Sequence, residues 1–183
     1  MMATKRGGWK PGDPRETIPT MVRVDQAGEY GAVRIYAGQL AVMGDRTPAA
    51  RKIAGMANQE AHHRAWFDAA MARRGVRPTA LQPIWSVAGF ALGAATAAMG
   101  PAAAMACTAA IETEIDRHYR HQLDLIGDDD PELAETVERF RAEEMEHHDT
   151  AIAEGAEMAP GYPVLSGLIR LGCRAAIALS KRI

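Results

Sequence analysis

Twice in this chain a glutamate precedes a Glu-x-x-His motif at nearly the same distance. Glu29 stands 31 residues before Glu60 of Glu60-Ala-His-His63, and Glu112 stands 32 residues before Glu144 of Glu144-Met-Glu-His147. The offsets between the two copies are 112 − 29 = 83, 144 − 60 = 84 and 147 − 63 = 84. On a helix, positions i and i+3 share a face one turn apart, so the carboxylate and the imidazole of each motif can reach one cation. One such motif is common on solvated helices. Two in register, each behind a helix that carries its own glutamate, describe a bundle in which four helices converge on two metal ions. Oxygen and imidazole donors suit iron or manganese. Four glutamates bring −4 and two divalent ions bring +4, which neutralises a core that would otherwise force the carboxyls to protonate. The expected ligands are Glu29, Glu60, His63, Glu112, Glu144 and His147.

Helix punctuation recurs along the whole sequence, whereas strand alternation is almost absent. Thr20 is expected to cap a first helix ending before Gly44. Thr47-Pro48 opens a second, to Arg74 and Gly75. Pro83 opens a third, apolar helix ending near Gly100, and Pro101 a fourth, ending at Gly127. Asp130-Pro131 opens a fifth, to about Gly155, and Pro163 a sixth, to about Lys181. Short connections between six helices predict an antiparallel all-α bundle. Residues 1–19, rich in Gly and Pro, read as a loose tail without a targeting signal, and residues 20–183 as one helical domain.

The remaining composition narrows the class. Lys+Arg is 21 and Asp+Glu is 23, a net charge of −2, without the basic excess of a nucleic-acid binder. Cys107 and Cys173 are too few for a disulfide scaffold or a four-cysteine metal site, and read as reduced cytoplasmic thiols. From Pro78 to Ile111 there is no charged residue. Its prolines and glycines argue against a membrane span and leave two readings, a buried bundle helix or a helix lying on a bilayer, where Trp85 would suit the interface. The last helix sets a wide apolar face against a narrow basic stripe of Arg170, Arg174 and Lys181, a pattern suited to an anionic membrane surface.

Other residues carry secondary expectations. Gly28 and Gly31 flank Glu29 inside a helix, at roughly 1 kcal/mol each against alanine. Another helix or a flat substrate ring could come close there. Tyr119, seven residues after Glu112, shares its face and is the candidate catalytic residue behind the ligands; a core tyrosine with a satisfied hydroxyl is the other reading. Glu143 and Asp149 could hold a ligand histidine through its outer nitrogen, or lie on the surface. His62, His118, His121 and His148 are expected on solvated faces or behind the ligands.

The segments RVDQAGEYGAVRIYAGQ, MACTAAIETEIDRHY and EEMEHHD, with PIWSVAGFALGA and the closing GCRAAIALSKR, resemble the demethoxyubiquinone hydroxylase family of ubiquinone biosynthesis. The likeness runs from about Met21 to the C-terminus. It implies a ferritin-like four-helix di-iron bundle with two additional apolar or amphipathic helices. The implied activity is that of a di-iron monooxygenase which hydroxylates a polyprenylated benzoquinol lacking one ring oxygen. It also implies two iron ions on the six ligands above, dioxygen as co-substrate, and NADH or the quinol itself as electron source. The partners implied are a membrane surface and a lipid-binding protein of the same pathway, with peripheral attachment expected at the cytoplasmic face of the cell membrane. Gln26 departs from the family's pattern, where relatives often carry His. Two rival readings remain: another membrane-associated di-iron quinol oxidase, separable by its products, and a non-catalytic lipid or metal carrier, which would tolerate loss of Glu112 or His147.

Overall fold

The computed structural model describes residues 17–45 and 47–182. Six helices account for most of it: α1 (Ile18–Met43), α2 (Pro48–Arg74), α3 (Gln82–Ala98), α4 (Pro101–Ile126), α5 (Pro131–Ala153) and α6 (Tyr162–Ser180), with a short 3-10 turn at Ala156–Met158 before α6. No strand occurs among the described residues. The chain is all-α, a ferritin-like four-helix bundle of α1, α2, α4 and α5 with two further helices.

Each helix carries a proline in its first turn, where the missing N–H has no partner to lose. Thr47 and Asp130 cap α2 and α5 through their side chains, which accept from Ala50 N and Leu133 N. Gly75 ends α2 at φ 63°, a left-handed position that a Cβ would strain. At the start the structure corrects the sequence reading: α1 begins at Ile18 with Thr17 at the cap, because Pro19 fits inside the first turn. Of the expected tail over residues 1–19, residues 1–16 lie outside the described residues, and Ile18 and Pro19 belong to α1.

The duplication extends to packing. α1 pairs with α2 and α4 with α5, while α3 lies against α1 and α6 against α4. The α1–α3 contact is backbone on backbone: a Cβ at Gly38 would fall on the Phe90 carbonyl, and one at Gly93 on the Ile35 carbonyl. Two apolar clusters fill the bundle ends. One centres on Ile53, Met56, Met105 and a run of α4 alanines, the other on Phe67, Leu133, Val137 and Phe140.

Helix α6 is inverted relative to an ordinary surface helix. Arg170 and Arg174 turn inward to the buried Glu114 of α4, at 2.7 and 3.7 Å. Two members of the basic stripe are thus paired with Glu114, while their side chains stay 39–49% exposed. Val164, Leu168 and Leu171 point outward, each more than half exposed. By length and composition α6 is apolar enough to cross a membrane, yet it is packed along one side only. On α3, Ile84 and Val87 are likewise exposed, so this helix is not the fully buried one of the first reading. The indole N–H of Trp85 donates to Ser180 Oγ at 3.1 Å, tying the start of α3 to the end of α6.

Candidate metal centre

The six sequence-predicted residues come together at mid-bundle, each 1–3 % exposed. They form two overlapping groups whose donor atoms lie within 4.8 Å of one another: Glu29, Glu60, His63 and Glu144 in one, Glu60, Glu112, Glu144 and His147 in the other. Glu60 and Glu144 belong to both. Glu29 with His63, and Glu112 with His147, mark the two ends. α1 and α4 supply one carboxylate each, and α2 and α5 supply the Glu-x-x-His pairs.

The histidines turn Nδ1 toward the carboxylates. His63 Nδ1 is 3.1 Å from Glu144 Oε1, and His147 Nδ1 is 3.1 Å from Glu144 Oε2 and 3.2 Å from Glu60 Oε1. The outer nitrogens are held in turn: His63 Nε2 by Glu143 Oε2 at 2.6 Å, His147 Nε2 by Gln59 Oε1 at 2.8 Å. Two tyrosines donate crosswise. The Tyr119 hydroxyl of α4 bonds Glu29 of α1, and the Tyr36 hydroxyl of α1 bonds Glu112 of α4 at 3.1 Å. Burial, with the carboxylates opposite, pushes both tyrosines well above the usual phenol range, so both keep the proton they donate.

This set of donors fits a pair of divalent cations. Glu29 Oε2 and Glu60 Oε1 are buried and accept no hydrogen bond, and His63 Nδ1 stands 3.6 Å from the former. Without cations, four carboxyls in one dry space must share protons. Burial and the charge of Glu144 raise Glu60 and Glu112 well above the ordinary carboxyl range, and burial raises Glu29. Glu144 alone is lowered, to about 2: burial works against it, but its bonds to His147 and His63 win. His63 rises to about 11, where bonds to Glu144 and Glu29 outweigh its burial. Buried carboxylate oxygens without donors, in a space that otherwise gathers protons, are the environment a multivalent cation satisfies.

Several neighbours were not anticipated. Tyr36 follows Glu29 by seven residues, as Tyr119 follows Glu112, and 119 − 36 = 83 repeats the offset of the two glutamates. Gln59 and Glu143 stand 84 apart in the same way. The repeat therefore contained both signals. Glu143 holds His63, one of the expected ligands, while Asp149 pairs with His148 instead. His62 is exposed and bonds the Asn58 carbonyl, and His121 is also exposed. His118 Nε2 lies 3.0 Å from the buried Asp25, which also accepts from Gln122. Gln26 donates to Asp68 at 2.8 Å, clear of the ligands.

Beside the centre, an apolar cavity of about 570 Å³ opens between α1, α3, α4 and α6. Its wall includes Gly28, Gly31, Ile111, Ile115, Trp85 and Cys173. Gly28 and Ile111 are the immediate sequence neighbours of Glu29 and Glu112. An added Cβ at Gly31 would meet nothing within 4 Å, and one at Gly28 only Ile115 at 3.8 Å. The glycines beside Glu29 thus keep the cavity wide, while α3 approaches the Gly31 carbonyl through Gly89. The thiols of Cys107 and Cys173 are pushed up to about 12, chiefly by burial, and stay protonated.

Comparison with known proteins agrees with this architecture. Residues 16–180 match the family described as ubiquinone biosynthesis protein COQ7. A 3-demethoxyubiquinol 3-hydroxylase of Rhodospirillum rubrum is 54% identical over 175 residues, covering 94% of this chain and 82% of the relative. The human mitochondrial NADPH-dependent 3-demethoxyubiquinone 3-hydroxylase is 49% identical, covering 92% of this chain and 79% of the relative. The mitochondrial 5-demethoxyubiquinone hydroxylase of Saccharomyces cerevisiae is 40% identical, covering 91% and 78%. With a buried centre of four glutamates and two histidines, in a helical bundle matched over nearly its whole length, this chain belongs to the COQ7 family of ubiquinone biosynthesis proteins.

Proposed function

We propose that this protein hydroxylates the ring of a polyprenylated 3-demethoxybenzoquinol, using dioxygen and two iron ions held by Glu29, Glu60, His63, Glu112, Glu144 and His147. The observation that carries the reading is the adjacency of the buried six-residue cluster to an apolar cavity of about 570 Å³. Relatives named as hydroxylases of that quinone, at 40–54% identity, support the substrate class.

Bound iron would supply the redox chemistry that activates dioxygen and delivers one of its atoms to the ring. The chain supplies the rest. Glu60 and Glu144 are placed to serve both ions, Glu29 with His63 one end, and Glu112 with His147 the other. Tyr119 and Tyr36 hold the end carboxylates by hydrogen bonds, so Tyr119 acts as a positioning residue. Glu143 and Gln59 fix the imidazole rings with Nδ1 inward. The cavity walls carry almost no polar groups, which excludes water and orients a flat ring by shape. The prenyl tail would run between α1, α3, α4 and α6 toward the exposed apolar faces of α3 and α6.

Those faces support peripheral attachment to a membrane, at the cytoplasmic face of the cell membrane. The same surface could receive a lipid-binding partner protein of the pathway. The human relative is named as NADPH-dependent, which favours a reduced nicotinamide cofactor over the quinol itself as electron source. The test is to load the purified protein with iron, reduce it, and add dioxygen and the demethoxyquinol. A product heavier by one oxygen atom is expected from the wild type, and neither iron nor turnover from Glu60→Ala. Oxygen consumption without hydroxylated quinol would indicate an oxidase and overturn the proposal.

A further inference from the structure

The two ends of the centre are built from matching carboxylates, imidazoles and tyrosines, and differ in what surrounds the imidazoles. Glu29 with its Tyr119 bond is matched by Glu112 with its Tyr36 bond. Each histidine presents Nδ1 to the shared carboxylates; with Nδ1 given to a metal ion, the neutral ring carries its proton on Nε2 and donates it outward. At equivalent positions of the repeat, the acceptor is a carboxylate behind His63 and a neutral amide oxygen behind His147.

That difference acts on the inner nitrogen. A carboxylate forms a charge-assisted bond, shorter and about twice as strong as a neutral one. The observed lengths, 2.6 Å to Glu143 and 2.8 Å to Gln59, follow that order. Drawing on the outer proton leaves more electron density at Nδ1 and makes the ring a stronger metal donor. His63 is also the more tightly packed ring. It stacks on Phe140 with centroids 4.0 Å apart and planes at 27°, whereas His147 meets Tyr36 edge-on at 6.5 Å.

We propose that the two metal positions are unequal, and that residues 143 and 59 set their order: the position bounded by Glu29 and His63 takes its ion first and holds it more tightly. Glu143 and Gln59 are positioning residues in this scheme, acting through the imidazoles. The inference rests on the two-metal reading of the centre. Both side chains reach solvent, Glu143 about a third exposed, so isosteric exchange leaves the core intact.

The test uses the full chain, stripped of metal and handled without oxygen. One equivalent of ⁵⁷Fe²⁺ is added, followed by one equivalent of ⁵⁶Fe²⁺, and the sample is read by Mössbauer spectroscopy; Co²⁺ titration gives the affinities. The wild type is expected to show one dominant ⁵⁷Fe doublet and two binding steps separated by about 10–100-fold. Glu143→Gln should merge the steps and divide the ⁵⁷Fe between two doublets. The double exchange Gln59→Glu with Glu143→Gln should restore two steps, with the dominant doublet now that of the other position. Helical circular dichroism of each metal-free variant checks that it is folded. Two ions bound with equal affinity in the wild type, or an unchanged order in the double exchange, overturns the inference and leaves the two-metal reading standing. Failure to bind two ions at all overturns that reading first.

Discussion

Tyr36, on α1, donates its hydroxyl to Glu112, on α4, at 3.1 Å, and the bond is repeated in mirror order by Tyr119 and Glu29. Each tyrosine thus belongs to the helix that carries the other end's glutamate. The two central helices are cross-linked through the groups that would hold the metal. Glu112 and Glu29 are fully buried, so no water replaces the donor when a hydroxyl is removed. Tyr36→Phe and Tyr119→Phe are each expected to weaken metal binding by about tenfold while the protein remains folded. Metal titration and circular dichroism measure the two effects. Unchanged affinity in both variants would show the hydroxyls to be packing groups only.

Metal affinity should rise with pH. Glu60, Glu112 and Glu29 are raised, chiefly by burial, and His63 is raised to about 11 by its carboxylate partners against burial. Protonated His63 must give up its inward proton to an incoming cation, and any proton held by the raised carboxyls must leave as well. Each proton released contributes about tenfold per pH unit to the affinity. The raised carboxyls also stabilise the metal-free fold most below their ordinary range near 4.5, and that contribution fades as the pH climbs toward their folded values. Calorimetric titration in buffers of different ionisation enthalpy counts the protons released. Affinity that falls between mildly acid and neutral pH would contradict this ordering.

The cavity wall makes a separate prediction. Gly31 has open space where a side chain would go, so Gly31→Leu should fold and fill part of the cavity. Metal content should stay that of the wild type, while KM for the quinol rises by about tenfold, equivalent to ~1.4 kcal/mol of lost contact. Steady-state kinetics beside elemental analysis separates this from damage to the centre.

Attachment to membranes is expected to depend on the outward face of α6 and not on its arginines. Leu168→Glu with Leu171→Glu should abolish co-sedimentation with lipid vesicles and leave metal binding unchanged. Arg170→Ala with Arg174→Ala acts elsewhere, because it strips the buried Glu114 of two of its three arginine partners and leaves Arg117 at 4.0 Å. Since the two removed arginines are 39–49% exposed, the loss should be about 1–2 kcal/mol, below that of a fully buried pair. Thermal unfolding measures it.

The six converging residues and the helix ends are legible because each rests on local periodicity. Proline in a first turn, glycine after a last one, and Glu-x-x-His on one face need no knowledge of neighbours. What the sequence left open depends on contacts across the bundle. For Glu143 the sequence leaves a surface charge and a histidine partner both open, because nothing local shows that His63 lies opposite it. On α6, periodicity separates an apolar and a basic face without saying what either one packs against. The buried Glu114, unremarkable in the sequence, is what Arg170 and Arg174 meet on α4. Tyr36 and Gln59 are intermediate cases, visible once the offset of 83 or 84 is applied to every polar residue near the motifs.

Anomalous diffraction at the iron absorption edge, from crystals of the iron-loaded protein, tests the centre most directly. Two peaks per chain are expected, both flanked by Glu60 and Glu144, one beside Glu29 and His63 and the other beside Glu112 and His147. A single peak, or iron bound away from these six side chains, would contradict the account.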